Sequence, residues 1–384
     1  MNHLSLKKRI FLRAYKSLFR AIYNVFSFFR KTDENKFVIA LYRSKELEGN
    51  LEYVSDEIRK NISNAKIHLV IGENKMNLRL FREIPMLSNA RYLILDDYYL
   101  PIYLIQKKKD LKVIQLWHAA GAFKKFGYST LGTKFGPGAD YLKLVPIHSN
   151  YTHVYVSSKR VVPFYAEAFN MSENKIFPLG MPRVDFFREK SKCERIRTEI
   201  LEKYPILDGK RIVKILVAPT YRANGNQGET TFNIIDSMVD ISHLLHNNVQ
   251  VIFKPHPYTK ELDLNRLSKC PNILLASKHS INEWMVVADA FITDFSSSIF
   301  EFALLKKPMA HLIPDLDEYD KNRGLYQDIN QLSDGTILTM NDQLADWINN
   351  RTPNEYFNSS RMIHYNFDDI QNITKKIVYH FTHK

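Results

Sequence analysis

The chain has 384 residues, of which 45% are hydrophobic and 25% charged, the composition of an ordinary globular protein. This composition excludes long disordered or collagen-like segments, and at roughly 150 residues per domain the length predicts two or three domains. Two cysteines, Cys193 and Cys270, are too few for a disulfide framework, and no clustered His/Cys motif predicts a metal site. No apolar run reaches the ~18–20 residues that span a bilayer, so we expect no transmembrane helix.

Residues 1–32 are predicted to form a basic amphipathic helix on a membrane surface. Eight of the 54 Lys and Arg residues, and none of the acidic residues, lie in residues 1–31. A face of aromatic and aliphatic side chains opposite a basic face is typical of helices that bind anionic lipid. The predicted lipid face contains Phe11, Tyr15, Leu18, Phe19, Ile22, Phe26 and Phe29. The predicted basic face contains Arg9, Arg13, Lys16 and Arg20.

Two alternatives for this leader are a helix that packs on its own domain and an arm that binds nucleic acid. Phosphate contacts would not need so many apolar side chains, so we expect no nucleic-acid partner. A signal peptide is disfavoured because basic residues interrupt the apolar stretch and no small-residue cleavage site follows.

From Lys36 onward, short apolar runs alternate with segments of helical periodicity, which indicates an α/β fold with parallel sheets. The charged stretch 187–210 separates two series of strands, so we predict two Rossmann-like domains at 33–188 and 189–384. The strands predicted in the first domain are Phe37–Tyr42, Ile67–Ile71, Tyr92–Leu95, Val113–Leu116, His153–Ser157 and Lys175–Leu179. Those in the second are Val213–Ala218, Gln250–Lys254, Ile273–Ala276, Ala290–Thr293 and Pro308–Ile313.

Polar residues follow several of these strands, where open parallel sheets bind their ligands. Trp117-His118 and a run of small residues follow Val113–Leu116, and an accessible His suits a general base at neutral pH. Pro219-Thr220-Tyr221-Arg222 follows the first strand of the second domain, and Arg222 could hold a phosphate. A backbone-bonded His and a surface Arg are the ordinary alternatives.

Two further loops in the second domain carry similar signals. In Lys254-Pro255-His256-Pro257 the prolines fix the direction of His256, which could otherwise be a buried structural residue. In Asp294-Phe295-Ser296-Ser297-Ser298 three serines open the next helix, where hydroxyls and free backbone N–H groups together would suit a phosphate or diphosphate. Simple N-capping is the alternative.

Taken in order, these motifs resemble the CDP-glycerol glycerophosphotransferase family of teichoic acid synthesis, which contains primases and polymerases. The resemblance covers roughly residues 90–330. It rests on the Trp-His-Ala-Ala-Gly loop running to Lys-Lys-Phe-Gly, Pro-Thr-Tyr-Arg, Lys-Pro-His-Pro, Asp-Phe-Ser-Ser with its following Glu-Phe and Lys-Pro, and Tyr-Asp-x-x-Arg-Gly. Two alanines stand between His118 and Gly121, where the family often has Gly directly after the His.

The resemblance implies a GT-B-like enzyme with a cleft between its two domains and with neither a metal nor another cofactor. The implied donor is CDP-glycerol, and the implied acceptor is a polyprenyl-diphosphate-linked saccharide or a polyol-phosphate chain. The enzyme would transfer glycerol phosphate to an acceptor hydroxyl and release CMP. A lipid-linked acceptor would place it on the cytoplasmic face of the cell membrane as a peripheral protein, which agrees with the basic leader.

The resemblance also implies roles for individual residues. His118 would be the base, and Asp294 would orient His256 or bind a hydroxyl of the sugar or glycerol. His256, Arg222, Ser296 and Ser297 would hold the diphosphate. The further substrate-binding candidates are Trp117, Gly121, Lys124, Arg183, Thr220, Glu301 and Arg323.

Three other functions compete with this interpretation. CDP-ribitol is the alternative donor, since no residue in the sequence distinguishes the three-carbon glycerol from the five-carbon ribitol. A nucleotide-sugar glycosyltransferase of the same fold is a lower alternative, and a non-enzymatic membrane scaffold is the lowest. The sequence does not separate a primase from a polymerase.

Overall fold

The computed structural model describes residues 4–133, 136–220, 232–256 and 259–383. Within these ranges the chain forms twelve strands and sixteen α-helices. The strands pair in parallel in two six-stranded sheets. This is the arrangement that strand–helix alternation predicts, because parallel neighbours need a long crossover connection.

The strands of the first sheet are β1 (Asp33–Leu41), β2 (Lys66–Ile71), β3 (Ala90–Leu95), β4 (Lys112–Gln115), β5 (His153–Tyr155) and β6 (Ile176–Phe177). Those of the second are β7 (Val213–Val217), β8 (Val249–Phe253), β9 (Ile273–Leu275), β10 (Ala290–Thr293), β11 (Met309–Leu312) and β12 (Thr336–Leu338). The eleven predicted strands coincide with β1 to β11, and β12 was not predicted.

The first helices are α1 (Leu6–Phe29), α2 (Gly49–Asn61), α3 (Ile84–Leu87), α4 (Leu100–Leu104), α5 (Ala139–Leu144), α6 (Val162–Phe169), α7 (Lys190–Lys203) and α8 (Ile234–Ile241). The others are α9 (Glu261–Leu267), α10 (Ile281–Val287), α11 (Ser298–Ala303), α12 (Leu316–Arg323), α13 (Ile329–Leu332), α14 (Asn341–Asn349), α15 (Ser360–Asn366) and α16 (Ile373–His383). Short 3-10 helices lie at Leu78–Glu83, Gly127–Thr130, Lys159–Val161, Glu173–Lys175, Pro182–Arg188, Pro205–Leu207 and Ser242–Leu244.

The chain divides into two units. The first contains Met1–Gly121, Phe126–Asp185 and Phe367–Lys384, and the second contains Ala122–Lys125 and Phe186–Asn366. These bounds differ from the sequence-based division at 188/189 in two ways. The segment Ala122–Lys125 belongs to the second unit, and the C-terminal segment Phe367–Lys384 belongs to the first. Asp185 explains the second difference, since its carboxylate accepts hydrogen bonds from the backbone N–H groups of Ile373 and Thr374 at the start of α16.

In the first unit the strand order is β2-β1-β3-β4-β5-β6. The apolar run Phe37–Leu41 of β1 is buried along its whole length, as expected for a central parallel strand covered on both faces. Within β1, Ile39 is in register with Leu69 of β2 and with Ile94 of β3. The sheet order reverses between β1 and β3, so the switch point of this unit lies between these two strands.

In the second unit the strand order is β12-β11-β10-β7-β8-β9. Every residue of β7, Val213–Val217, is buried, and the apolar core spreads from this strand onto α8 and α14. Helix α10 begins at a capping box in which Ser280 and Glu283 each accept a hydrogen bond from the other's backbone N–H. The switch point of this sheet lies between β7 and β10.

Helix α1 packs on its own unit through Leu12, Tyr15, Phe19 and Tyr23, which recur at helical spacing and are buried. The Tyr15 hydroxyl donates to the carbonyl of Asn77 at 2.7 Å. Tyr15 and Phe19, predicted to face lipid, are therefore part of the core. The prediction was wrong for them because the helix carries apolar side chains on two stripes, and the sequence pattern merged these into one face.

The second stripe of α1 is open to solvent, and we call it the exposed apolar stripe. It consists of Ile10, Phe11, Leu18, Val25, Phe28 and Phe29, each between 52% and 83% exposed. At 100° per residue this stripe lies roughly a third of a turn from the buried one. Among the described residues, no helix combines the length and apolar character that crossing a bilayer requires.

Candidate active site

Three neighbouring strands of the first unit end in residues that can do chemistry. Arg43 follows β1, Asp96 and Asp97 follow β3, and Trp117-His118 follows β4. Since β1, β3 and β4 are adjacent and parallel, these ends meet at one edge of the sheet, beside its switch point. The prediction placed His118 at a strand end, but it did not include Arg43, Asp96 or Asp97.

The His118 imidazole is oriented by a backbone carbonyl. Its Nδ1 lies 3.0 Å from the carbonyl oxygen of Asp96 and 4.0 Å from Oδ2 of Asp97, and its side chain is 29% exposed. A carbonyl oxygen can only accept a hydrogen bond, so Nδ1 carries the proton and Nε2 keeps its lone pair. Burial lowers the pKa of His118 to about 4, against the opposing effect of the Asp97 carboxylate. At neutral pH the ring is therefore an uncharged base.

Trp117 holds the loop in an unusual backbone conformation. Its φ is +53°, in the left-handed region that bulky residues rarely adopt. Its amide N–H donates to Oε1 of Gln115 at 2.8 Å, and its carbonyl accepts from Nδ2 of Asn50 at 2.8 Å. The indole stacks on the His118 ring with centroids 4.6 Å apart. Trp117 therefore positions His118, and Asn50 and Gln115 support it; neither of these two was predicted.

Both glycines of this loop adopt a positive φ, +64° at Gly121 and +55° at Gly127. Gly121 is buried, and its amide donates to Oγ of Ser157 at 2.8 Å. Gly127 has a φ of +55°, and a Cβ there would lie 2.2 Å from the carbonyl oxygen of Ala168. The second glycine of the motif is therefore required by close backbone approach. The predicted role of Gly121 in substrate binding stays a prediction.

Arg183 is tied to the start of helix α2. Its backbone N–H donates to Oδ1 of Asn50 at 3.0 Å. Its side chain runs past Gly49, where a Cβ would lie 3.8 Å from Cδ of the arginine. Asn50 thus joins the segment of Arg183 to the loop of Trp117.

Asp294 and Thr220 connect the ends of β10 and β7 at the switch point of the second unit. Oδ1 of Asp294 accepts from the Thr220 amide at 2.8 Å, and Oδ2 accepts from the Thr220 hydroxyl at 2.6 Å. The Asp294 carbonyl lies 2.8 Å from Nδ1 of His311, whose Nε2 lies 2.8 Å from Oγ of Ser333. Both carboxylate oxygens thus clamp the two loops together, a role that the sequence interpretation did not assign to Asp294.

Two of the serines after Asp294 hydrogen-bond with one another at the start of helix α11. Helix α11 is six residues long, and the hydroxyls of Ser296 and Ser298 lie 2.7 Å apart in a mutual hydrogen bond. Ser297 occupies the N-cap position, but its hydroxyl caps no backbone N–H in the described part of the chain. The Ser298 backbone N–H donates to Oγ of Ser296 at 3.3 Å, and the predicted anion site at this helix start stays a prediction. The hydroxyls of Ser296 and Ser297 are half-buried and remain candidates.

The other predicted residues of the second unit are His256, Glu301 and Arg222. His256 follows β8, which neighbours β7, and is half-buried. Glu301 is fully buried and accepts from Nδ2 of Asn282 at 2.7 Å, so it lies in the core. Arg222 lies outside the described residues.

Lys124 and Arg323 lie beside a short antiparallel pairing. Lys124 bridges Leu325, and the Lys125 amide donates to the carbonyl of Gly324 at 3.0 Å. Gly324, with a φ of +87°, directly follows Arg323 at the end of α12. Lys124 and Lys125 thus meet the Tyr-Asp-x-x-Arg-Gly motif, distant in sequence, within the second unit.

Comparison with known proteins shows which family the chain belongs to. Residues 22–373 match the sequence model of the family described as CDP-Glycerol:Poly(glycerophosphate) glycerophosphotransferase. The chain is 38% identical over 344 residues to the teichoic acid ribitol-phosphate primase of Bacillus spizizenii, covering 86% of each protein. It is 34% identical to the ribitol-phosphate polymerase TarL of Staphylococcus aureus, covering 87% of this chain and 60% of TarL. It is 26% identical to the glycerol-phosphate primase of Bacillus subtilis, covering 78% of this chain and 74% of that one.

Among solved structures, a variant of the wall teichoic acid polymerase TagF soaked with CDPG superimposes with a TM-score of 0.75 at 20% identity, covering 96% of this chain and 93% of the other. Two parallel α/β sheets, in a chain that superimposes on TagF, make the fold GT-B-like, which confirms the predicted fold class. The chain belongs to the CDP-glycerol:poly(glycerophosphate) glycerophosphotransferase family and is an enzyme of the teichoic acid primase and polymerase type.

Proposed function

We propose that this enzyme transfers ribitol phosphate from CDP-ribitol to a hydroxyl of a lipid-linked acceptor in teichoic acid synthesis and releases CMP. The choice of ribitol over the glycerol expected from sequence is supported by the 38% and 34% identities to ribitol-phosphate enzymes, against 26% to a glycerol-phosphate primase. The acceptor is a polyprenyl-diphosphate-linked saccharide that can already carry polyol phosphate. CDP-glycerol is the second candidate donor.

The observation that carries the proposal is the His118 ring, which is neutral and has its lone pair on Nε2. In the proposed reaction an acceptor hydroxyl attacks the phosphorus of ribitol phosphate and gives its proton to Nε2. A new O–P bond forms, the P–O bond to the CMP phosphate breaks, and CMP leaves. The Asp97 carboxylate, 4.0 Å from Nδ1, would stabilise the imidazolium that forms.

The donor is assigned to the second unit in this proposal. Thr220, His256, Ser296 and Ser297 follow adjacent strands around the β7/β10 switch point, where open α/β sheets bind nucleotides. Phosphoryl transfer needs alignment and neutralisation of charge more than covalent help, and the two serine hydroxyls with the imidazole can align the phosphates by hydrogen bonds. Lys124, Arg222 and Arg323 are proposed to add positive charge, and Asp294 to fix the loop of Thr220.

We further propose that α1 binds the cytoplasmic surface of the membrane through its exposed apolar stripe. Phe28 and Phe29 are 83% and 79% exposed at its C-terminal end. Arg13 and Arg20 lie on a separate stripe and would contact anionic headgroups while the apolar side chains enter the lipid. Arg9 and Lys16 are less available, because Arg9 pairs with Asp140 and Lys16 donates to the carbonyl of Leu144.

The decisive experiment incubates purified protein with CDP-ribitol or CDP-glycerol and a synthetic lipid-linked disaccharide, with or without one polyol-phosphate unit. We expect acceptor-dependent release of CMP and faster turnover with CDP-ribitol. Faster turnover with CDP-glycerol would reverse the choice of polyol. If neither donor supports transfer while a nucleotide sugar does, with release of a nucleoside diphosphate, the enzyme is a glycosyltransferase. Product length separates a primase from a polymerase.

A further inference from the structure

The switch point of the first sheet is flanked by two residues that the proposed reaction has not used. Arg43 lies two positions after the end of β1, and Asp96 directly follows β3. Helical connections leave these strands towards opposite edges of the sheet, which opens a crevice outside their carboxyl ends. His118, at the end of the neighbouring β4, borders the same crevice.

Asp96 has an unsatisfied side-chain oxygen at this place. The residue is 8% exposed, and its Oδ1 has no hydrogen-bond partner among the residues that the structure describes. Burial raises the pKa of its carboxyl group to about 7, with the positive charges of Arg43 and Arg183 acting in the opposite direction. A carboxyl group that exchanges a proton near neutrality can accept a hydrogen bond from an alcohol or donate one to it.

Arg43 and Arg183, which come from separate segments of the chain, both place positive charge near Asp96 and His118. Arg43 is exposed on the loop between β1 and α2, and the Arg183 side chain runs past Gly49 at the end of that loop. Both guanidinium groups act on the pKa of His118 as well as on that of Asp96, so they lie within electrostatic range of both side chains. The crevice therefore combines positive charge with a hydrogen-bonding carboxyl group and a base.

We infer that Arg43, Asp96 and Arg183 bind the acceptor, with the Asp96 carboxyl group holding the hydroxyl that His118 deprotonates and the two guanidinium groups holding a phosphate next to it. The ligand chemistry is thus a phosphorylated alcohol. The carbonyl of Asp96 already orients the base that takes the proton of the attacking hydroxyl, which assigns these side chains to the acceptor and not to the CDP donor. The inference rests on the proposed transfer reaction.

The test compares Arg43→Gln, Arg183→Gln and Asp96→Asn with Arg59→Gln, a control on the exposed end of α2. We expect each glutamine variant to raise KM for an acceptor carrying one polyol-phosphate unit by tenfold or more. KM for CDP-ribitol, and its affinity by calorimetry, should stay within about threefold. Arg43→Lys should recover part of the loss, because it restores charge without the planar fork. Asp96→Asn should lower kcat and shift the pH profile, since the amide cannot exchange a proton.

The outcomes separate this inference from the proposed function. If wild-type protein transfers from no CDP-alcohol, the proposed function fails first. If it transfers normally and the arginine variants keep the wild-type KM for the acceptor, the inference is wrong. A rise in KM confined to CDP-ribitol would assign the arginines to the donor instead. Thermal unfolding of each variant identifies losses of activity that come from misfolding. Because Arg43 is exposed, its variants are expected to fold.

Discussion

Asn50 donates from Nδ2 to the carbonyl oxygen of Trp117 at 2.8 Å, and so fixes the residue immediately before the proposed base. Its Oδ1 accepts from the backbone N–H of Arg183. One buried amide therefore sets the positions of two segments of the first unit, because its side chain supplies both a donor and an acceptor.

The Asn50→Asp variant should separate these two bonds. Asp keeps the acceptor for Arg183 but loses the donor to Trp117, whose positive φ is then less well held. We expect kcat to fall about tenfold, with little change in KM for CDP-ribitol, and stability to fall by about 1–3 kcal/mol because a buried group loses its partner. Steady-state kinetics and urea unfolding measure the two effects. If kcat and KM are both unchanged, Asn50 has only a structural role.

Loss of the proposed base should remove activity without unfolding the protein. His118→Ala should reduce CMP release by about 10²-fold or more, the usual contribution of a general base. His243→Ala, an exposed histidine of the second unit, is the matched control and should keep full activity. Activity within a few fold of wild type would exclude His118 as the base.

The pH profile should reflect the lowered pKa of His118. Only the neutral ring can accept a proton, and with a pKa of about 4 it remains neutral through most of the mildly acidic range. We expect no loss of kcat from this group until the pH approaches 5, and a decline below that. A decline centred near 6.5 that persists in the Asp96→Asn variant would mean that the ring is solvated as in a free peptide.

Buried histidines should make the protein sensitive to acid. Burial lowers the pKa of His118, His148, His153 and His311 to about 4, 3, 4 and 4. The unfolded chain, with His pKa near 6.5, binds more protons below that pH, so the stability contributed above pH 6.5 is lost as the pH falls towards 4. Asp96 acts in the opposite sense, because its raised pKa stabilises the fold below pH 4 and this term is lost as the pH rises through 7.

Melting temperatures between pH 7.5 and 4.5 test this balance. We expect Tm to fall from pH 6.5 downward, and His148→Gln to show a shallower fall because one buried imidazole is absent. A Tm that is constant over this interval would contradict the burial of these rings.

The two stripes of helix α1 should respond differently to substitution. Leu18→Ser with Phe28→Ser should weaken sedimentation with anionic vesicles and leave Tm unchanged, because both side chains face solvent. Phe19→Ser should destabilise the first unit by about 3–5 kcal/mol, as expected for truncating a buried phenylalanine. Leu78→Ser, 83% exposed on the same unit, is the control for apolar surface in general. Wild-type vesicle binding by the double variant would reject the lipid contact.

The sheets could be predicted from sequence because each central strand is a continuous apolar run, as in Val213–Val217. Strand β12 could not, since Thr336–Leu338 is short and only Leu338 is buried. His118 was found because it directly follows such a run. Asp96 was missed because consecutive aspartates after a strand look like a solvated turn, and Asn50 because its role depends on residues 67 and 133 positions away.

Helix α16 gives the first unit an unusual order of assembly during synthesis. Phe381 and Ile377 are fully buried in that unit, and Lys112 of β4 donates from Nζ to the carbonyl of Phe381 at 2.8 Å. The ribosome must therefore synthesise Phe186–Asn366, which belongs to the second unit, before it makes helix α16, which contacts β4. The second unit can fold while the first still exposes the surface that α16 will cover, although domains generally fold from the N-terminus first.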